Sequence, residues 1–257
     1  KNKNAQGRVS QNADTEIRQY TTGFENFNPG AMGEQQGWYS TPGWTIATDR
    51  PHSGTQHLRG ISKPSGAGEQ YALSPYLFEG EDYYYPRYTT AAMRLNLDDA
   101  QGTSWEIVPQ DPLSYIATRI RFNADGTIEA MVIDNDYNFH WKKVPVTTPS
   151  GYFDLAVEYN NWGSDTSGFP TYYLFINNQH VFSGAGIGFV LGQVAFVSDM
   201  ETDGPTFDVD ERGAVASDRS ERVTHQCVGP EHRNAHAIGV HSRSRGTKSR
   251  CCCARGA

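Results

Sequence analysis

The most regular feature of the chain is a two-residue alternation of apolar and polar positions, repeated in short bursts between turn residues. In "SYIATRIRFN" (114–123), Ile116, Thr118, Ile120 and Phe122 alternate with Tyr115, Ala117, Arg119 and Arg121. A period of two is that of a pleated strand with one face on a core. Ile116, Ile120 and Phe122 should therefore face inward, and Tyr115, Arg119 and Arg121 outward. Asp125-Gly126 supplies a turn that tolerates positive φ. "TIEAMVIDND" (127–136), a turn at "NDYN", and "FHWKKVPV" (139–146) then complete a predicted three-strand antiparallel meander. "YFDLAVEYN" (152–160), a polar loop (161–170) and "TYYLFINNQHVFSG" (171–184) come next, the last with Asn177-Asn178 at its hairpin turn. "GQVAFVSDM" (192–200) and "TFDVDE" (206–211) close the series. Regularly spaced strands with no amphipathic helix longer than about two turns predict an all-β fold, an antiparallel two-sheet β-sandwich.

The alternation stops near residue 211. Residues 212–257 contain no Phe, Tyr or Trp and end in "HSRSRGTKSRCCCARGA", which is basic and Ser/Arg-rich. Such a segment cannot bury a core, so a disordered tail is expected. The domain reading is a flexible segment at 1–20, a β-sandwich at 21–211 and the basic tail at 212–257. All four cysteines lie in the tail (Cys227, Cys251, Cys252, Cys253), which leaves the sandwich with no disulfide. The three adjacent cysteines lack the C-x₂₋₄-C spacing of a tetrahedral zinc site, even with His236 and His241 nearby.

Charge divides at the same seam. Residues 1–210 hold 13 Lys/Arg against 25 Asp/Glu, a net −12; residues 211–257 hold 9 against 4, a net +5. An acidic body is unsuited to a nucleic-acid partner, because phosphate binding needs a basic face. No run of 18 apolar residues exists to span a membrane, and the first residues show no signal peptide.

The segments "DGTIEAMV", "FHWKKVPVTTPSGYFDLAVEYN", "YYLFINNQHVFSG", "GQVAFVSD" and "FDVDE", with the opening "GFENFNPGAMGEQQGW" and "SGTQHLRG", resemble the concanavalin A-like lectin/glucanase superfamily. The similarity is to its laminin-G-like jelly rolls, as found in secreted bacterial surface proteins. It covers residues 21–211 with loose motifs. It implies a jelly-roll sandwich whose closing "FDVD" strand pairs with the opening "FE" strand, and a secreted or cell-surface location. It further implies a structural calcium, with Glu25, Gln56 and Asp210 as ligands and Asp208 as a substitute; calcium takes six to eight hard oxygens. Without calcium, Asp208 and Asp210 read as charges on the solvent face of an edge strand.

A glycan site needs exposed aromatic rings for the apolar faces of sugars and polar groups for their hydroxyls. Tyr115, Arg119, Arg121, Glu129 and Trp141 fall on the outward face of the predicted meander, and Trp162 stands in a polar loop; these six are the candidate glycan contacts. Tyr83-Tyr84-Tyr85 offers further rings. Catalytic signatures are missing: no E-x-D-x-x-E strand that would set two carboxylates on one face about 5.5 Å apart for retaining hydrolysis, no G-x-S-x-G and no H-E-x-x-H. A jelly-roll lyase would need clustered Arg, His and Tyr; Arg94, Arg119, Arg121, His140 and Tyr173 have the types. The sequence thus favours a non-catalytic, extracellular carbohydrate-binding module with structural calcium. A polysaccharide lyase or glycoside hydrolase, and a structural or adhesive surface protein, are the alternatives.

Overall fold

A computed structural model describes residues 10–12, 17–62, 70–76, 88–100, 103–111, 116–161, 169–187, 192–198 and 205–217. Tyr83-Tyr84-Tyr85, Tyr115, Trp162, and the tail cysteines and histidines lie outside them. Every regular element is a strand: β1 (Ser10–Asn12), β2 (Ile17–Thr22), β3 (Gly30–Ala31), β4 (Tyr39–Ser40), β5 (Trp44–Ala47), β6 (His57–Ile61), β7 (Gln70–Leu73), β8 (Tyr88–Asn96), β9 (Trp105–Gln110), β10 (Ile120–Phe122), β11 (Thr127–Ile133), β12 (Phe139–Thr147), β13 (Tyr152–Asn160), β14 (Thr171–Ile176), β15 (Gln179–Ala185), β16 (Gln193–Ser198) and β17 (Thr206–Ser217). All described pairings are antiparallel. The large sheet runs β15-β14-β13-β8-β17-β6-β5-β3, with β2 also on β17 and β1 on β2. The small sheet runs β12-β11-β10-β9-β16-β7-β4. Together they form the expected β-sandwich.

The predicted meander is β10-β11-β12, and the Asn177-Asn178 hairpin has both residues at positive φ, 49° and 62°. Two local expectations change. Ile116 is exposed, because β10 begins only at Ile120 and the chain before it is a loop tied by the Ala117 amide to the Pro109 carbonyl. "FENF" is a turn, with Phe24 at a φ of 62°, rather than a strand. The early strand that pairs with β17 is Ile17–Thr22, which begins inside the segment expected to be flexible, and β17 itself runs past residue 211 to Ser217.

β17 occupies the middle of the large sheet, so the edge-strand reading of Asp208 and Asp210 does not hold. One side of β17 pairs with β8; the other pairs with β6 over Thr206–Val209 and with β2 from Arg212 onward. A register shift against β8 falls between Val209 and Arg212. Such an irregularity re-aims a side chain out of the ladder, and Asp210 sits in it, fully buried.

Between the sheets, Trp44, Trp105, Phe196 and Phe207 form an aromatic centre, with Trp105 stacked on Phe207 at 5.2 Å and Trp44 edge-on to Trp105 at 5.8 Å. Gly60 makes this possible: a Cβ there would lie 2.7 Å from the Trp44 ring. Trp38 is also buried and donates its indole N–H to the Tyr20 hydroxyl. Three of the five tryptophans are therefore core, which leaves Trp141 as the half-exposed one among the described residues.

Candidate functional site

Register sets the outer face of the small sheet. Ile120, Phe122, Ile128 and Ala130 are buried inward, so their neighbours point the other way. Across four strands the outward row reads Lys143, Glu129, Arg121, Glu106, each a direct cross-strand partner of the next. Cross-strand neighbours of opposite charge on one face attract. Glu106, side chain 6% exposed, is the anchor of the row. It accepts from Nε of Arg121 at 2.8 Å and from Nε of Arg119, and Nη2 of each guanidinium also turns to it. The Arg121 guanidinium lies 4.0 Å from the centre of the Trp141 ring, and that of Arg119 5.8 Å. Glu129 accepts from Asn123 Nδ2 at 3.1 Å.

The structure thus brings Arg119, Arg121, Glu129 and Trp141 into one neighbourhood; Tyr115 and Trp162 lie outside the described residues. One face of the Trp141 ring is covered by Arg121, so the ring carries a guanidinium there instead of offering an open stacking surface. Glu106 has no signal in the sequence alone. It stands in "WEIVPQ", a strand buried along its length, and only the β9-β10 register reveals its partnership with two arginines.

Asn123 joins this row to a cavity of about 510 Å³ at the end of the sandwich. Phe122, Leu97 and Ala100 give the cavity apolar walls; Asp98, Asn123, Asp125 and Ser150 supply polar groups.

The expected calcium ligands gather around loop 50–57. Asp210 accepts from the amides of His52 (2.5 Å) and Ser53 (3.2 Å) and from the Ser53 hydroxyl (2.8 Å). Glu25 accepts from the Thr55 amide and hydroxyl and from the Gln56 amide. Burial is the largest single influence on the Glu25 pKa and raises it, but these bonds together outweigh it and hold the carboxyl below its ordinary value. Gln56 donates to the Glu25 carbonyl, and its own Oε1 is buried with no hydrogen-bond partner among the described residues. Asp208 faces elsewhere, to His57 Nε2 at 3.2 Å and Arg59 Nε at 2.7 Å. Burial pushes its pKa up; the bonds from His57 and Arg59 win and keep it low. Glu25, Gln56 and Asp210 thus share a loop with hard oxygens and one orphan acceptor, while Asp208 is committed to His57 and Arg59. Among the described residues no group of three or more His, Cys, Asp or Glu side chains is placed to hold a metal.

The lyase-type residues do not converge. Arg94 lies on the large sheet, bonded to Asp154 and to His52 Nδ1. His140 pairs with Asp134, and Tyr173 lies against His180. Tyr152, against the His52 ring, donates its hydroxyl to the Arg50 carbonyl. Burial, then the charges of Asp208 and Asp210, push its pKa upward, the wrong direction for a base.

No family model and no curated protein matches the chain. Solved structures give distant likenesses. A sialidase has 10% identity and a TM-score of 0.45 over 71% of this chain and 16% of its own. The binding domain of botulinum neurotoxin serotype D has 10% identity and 0.48 over 71% and 43%. The CBM2 module of the evolved Dit of Lactobacillus casei BL23 phage J-1 has 9% identity and 0.48 over 80% and 98%. This chain therefore spans less than half of the first two. At these scores the likenesses assign it no function. Among the described residues no helix is long and apolar enough to cross a membrane.

Proposed function

We propose that the protein is a non-catalytic, extracellular carbohydrate-binding β-sandwich of the concanavalin A-like, laminin-G-like type, of bacterial origin. The glycan lies on the outer face of the small sheet. The observation that carries this reading is the fixed row Lys143, Glu129, Arg121, Glu106 beside Trp141. Donors and acceptors alternate there on rigid strands next to an aromatic ring, which suits a polyhydroxylated chain. Charged groups held by protein partners suit binding better than proton transfer.

Calcium belongs to the proposal as a structural ion. Glu25, Gln56 and Asp210 would hold it, supported by the orphan Gln56 Oε1. It would supply a cross-link between loop 50–57 and the strands beneath.

The test is electrophoresis through gels cast with a panel of polysaccharides. Retardation on at least one glycan, lost in Trp141→Ala, is the expected result. Equal mobility on every glycan would sink the reading.

A further inference from the structure

Two arginines on one buried carboxylate are an unusual way to finish a sheet face, and the geometry names a sugar class. Resting on the carbohydrate reading, we infer that this face recognises an anionic glycan, through the carboxylate or sulfate of its sugar units, with Arg119 and Arg121 as the receptor.

Glu106 takes Nε and Nη2 of both guanidiniums, leaving Nη1 of each with no protein acceptor among the described residues. Both side chains remain about a third exposed, at 32% and 30%. Arg121 is held a second time by the Trp141 ring at 4.0 Å, a cation–π contact. Arginine loses much rotamer freedom when it binds a ligand; here that freedom is already spent in folding. A planar guanidinium fixed along one edge presents a fork that matches carboxylate and sulfate oxygens.

Charge points the same way. Arg119, Arg121 and Lys143 face Glu106 and Glu129, one cation in excess, on a body of net −12. The excess stands at the face where the sugar is placed. Hydroxyls alone would be served by a neutral set of Asn, Gln and Tyr.

The experiment compares polygalacturonate with its fully methyl-esterified form, and a sulfated galactan with its desulfated form, by calorimetry on the full chain. Laminarin, a neutral glucan, is the reference. At least tenfold tighter binding to one charged form than to its neutralised partner, weakening as salt rises, is expected. Which pair responds distinguishes carboxylate from sulfate. Arg119→Gln/Arg121→Gln should lose at least tenfold on the charged form. Arg121→Lys, which keeps the charge but not the fork, should lose severalfold. The wild-type comparison stands even if a variant fails to fold. Equal binding to charged and neutralised forms overturns the inference and leaves the carbohydrate reading standing, as does charged-form binding that survives in the folded double variant. Absence of binding to every glycan, laminarin included, overturns both.

Discussion

Replacing Asp210 by asparagine tests how the large sheet holds the loop above it. Asp210 is fully buried and accepts from two backbone amides and one hydroxyl, all in His52 and Ser53. Asparagine keeps the shape and can still offer its carbonyl oxygen to both amides. Those two bonds change from charge-assisted to neutral, a loss of about 1 kcal/mol each. The Ser53 hydroxyl can rotate to accept from the new amide nitrogen. The expected cost is therefore about 2 kcal/mol, or a fall in melting temperature of about 4–8 °C for a domain of this size. Asp210→Ala, which leaves the amides without a partner, should cost about 3–5 kcal/mol. Glu25→Gln makes the analogous change at an exposed carboxylate and should cost under about 1 kcal/mol. The assay is urea unfolding followed by tryptophan fluorescence, in EDTA so that only the hydrogen bonds are read. An Asp210→Asn protein within about 0.5 kcal/mol of wild type, or a Glu25→Gln protein less stable than it, would refute the reasoning.

Other consequences are as direct. Gly60→Ala should lose about 1–3 kcal/mol, because the new methyl meets the Trp44 ring at 2.7 Å in a filled core; unchanged stability in urea would show that the rings can move. Asp134 is held at a pKa of about 2, first by the bond from His140 and then by the amide of Asn138. Because this pKa is depressed, its contribution to turn stability is complete above about pH 4. It is lost as pH falls through about 2. Carbon-detected NMR should show that midpoint, and His140→Ala should move it toward the ordinary value of 3.8. Calcium at loop 50–57 should raise the melting temperature by several degrees over EDTA, and Gln56→Ala should shrink the difference. Identical melts with and without calcium would remove the ion from the proposal.

The legible strands were those with one wet face. β11, β13 and β14 alternate because solvent lies on one side, and turns of this region carry Asp-Gly and Asn-Asn. β8, "YTTAAMRLN", is not legible because it is buried along nearly all its length, so small and apolar residues follow each other with no period. The alternation of "TFDVDE" marks β17 as a strand but does not reveal that it is central in its sheet. Its second half, "RGAVAS", has no large apolar side chains, yet β2 and β8 pair with it through the backbone, which composition does not record. At the candidate site, Arg119, Arg121, Glu129 and Trp141 could be put on one face from alternation within a single meander. Glu106 could not, since pairing β9 with β10 is a fact of register. The buried pairing of Asp208 with Arg59 and His57 was hidden for the same reason; these residues stand about 150 positions apart, at 149 and 151.

The most direct measurement is a nitrogen-15 NMR titration of the intact protein with oligosaccharides of the glycan that retards it. The Trp141 indole N–H and the Arg119 and Arg121 Nε–H resonances should move first and furthest. Shifts confined to the large sheet around His52 and Arg94, with those three signals still, would contradict it.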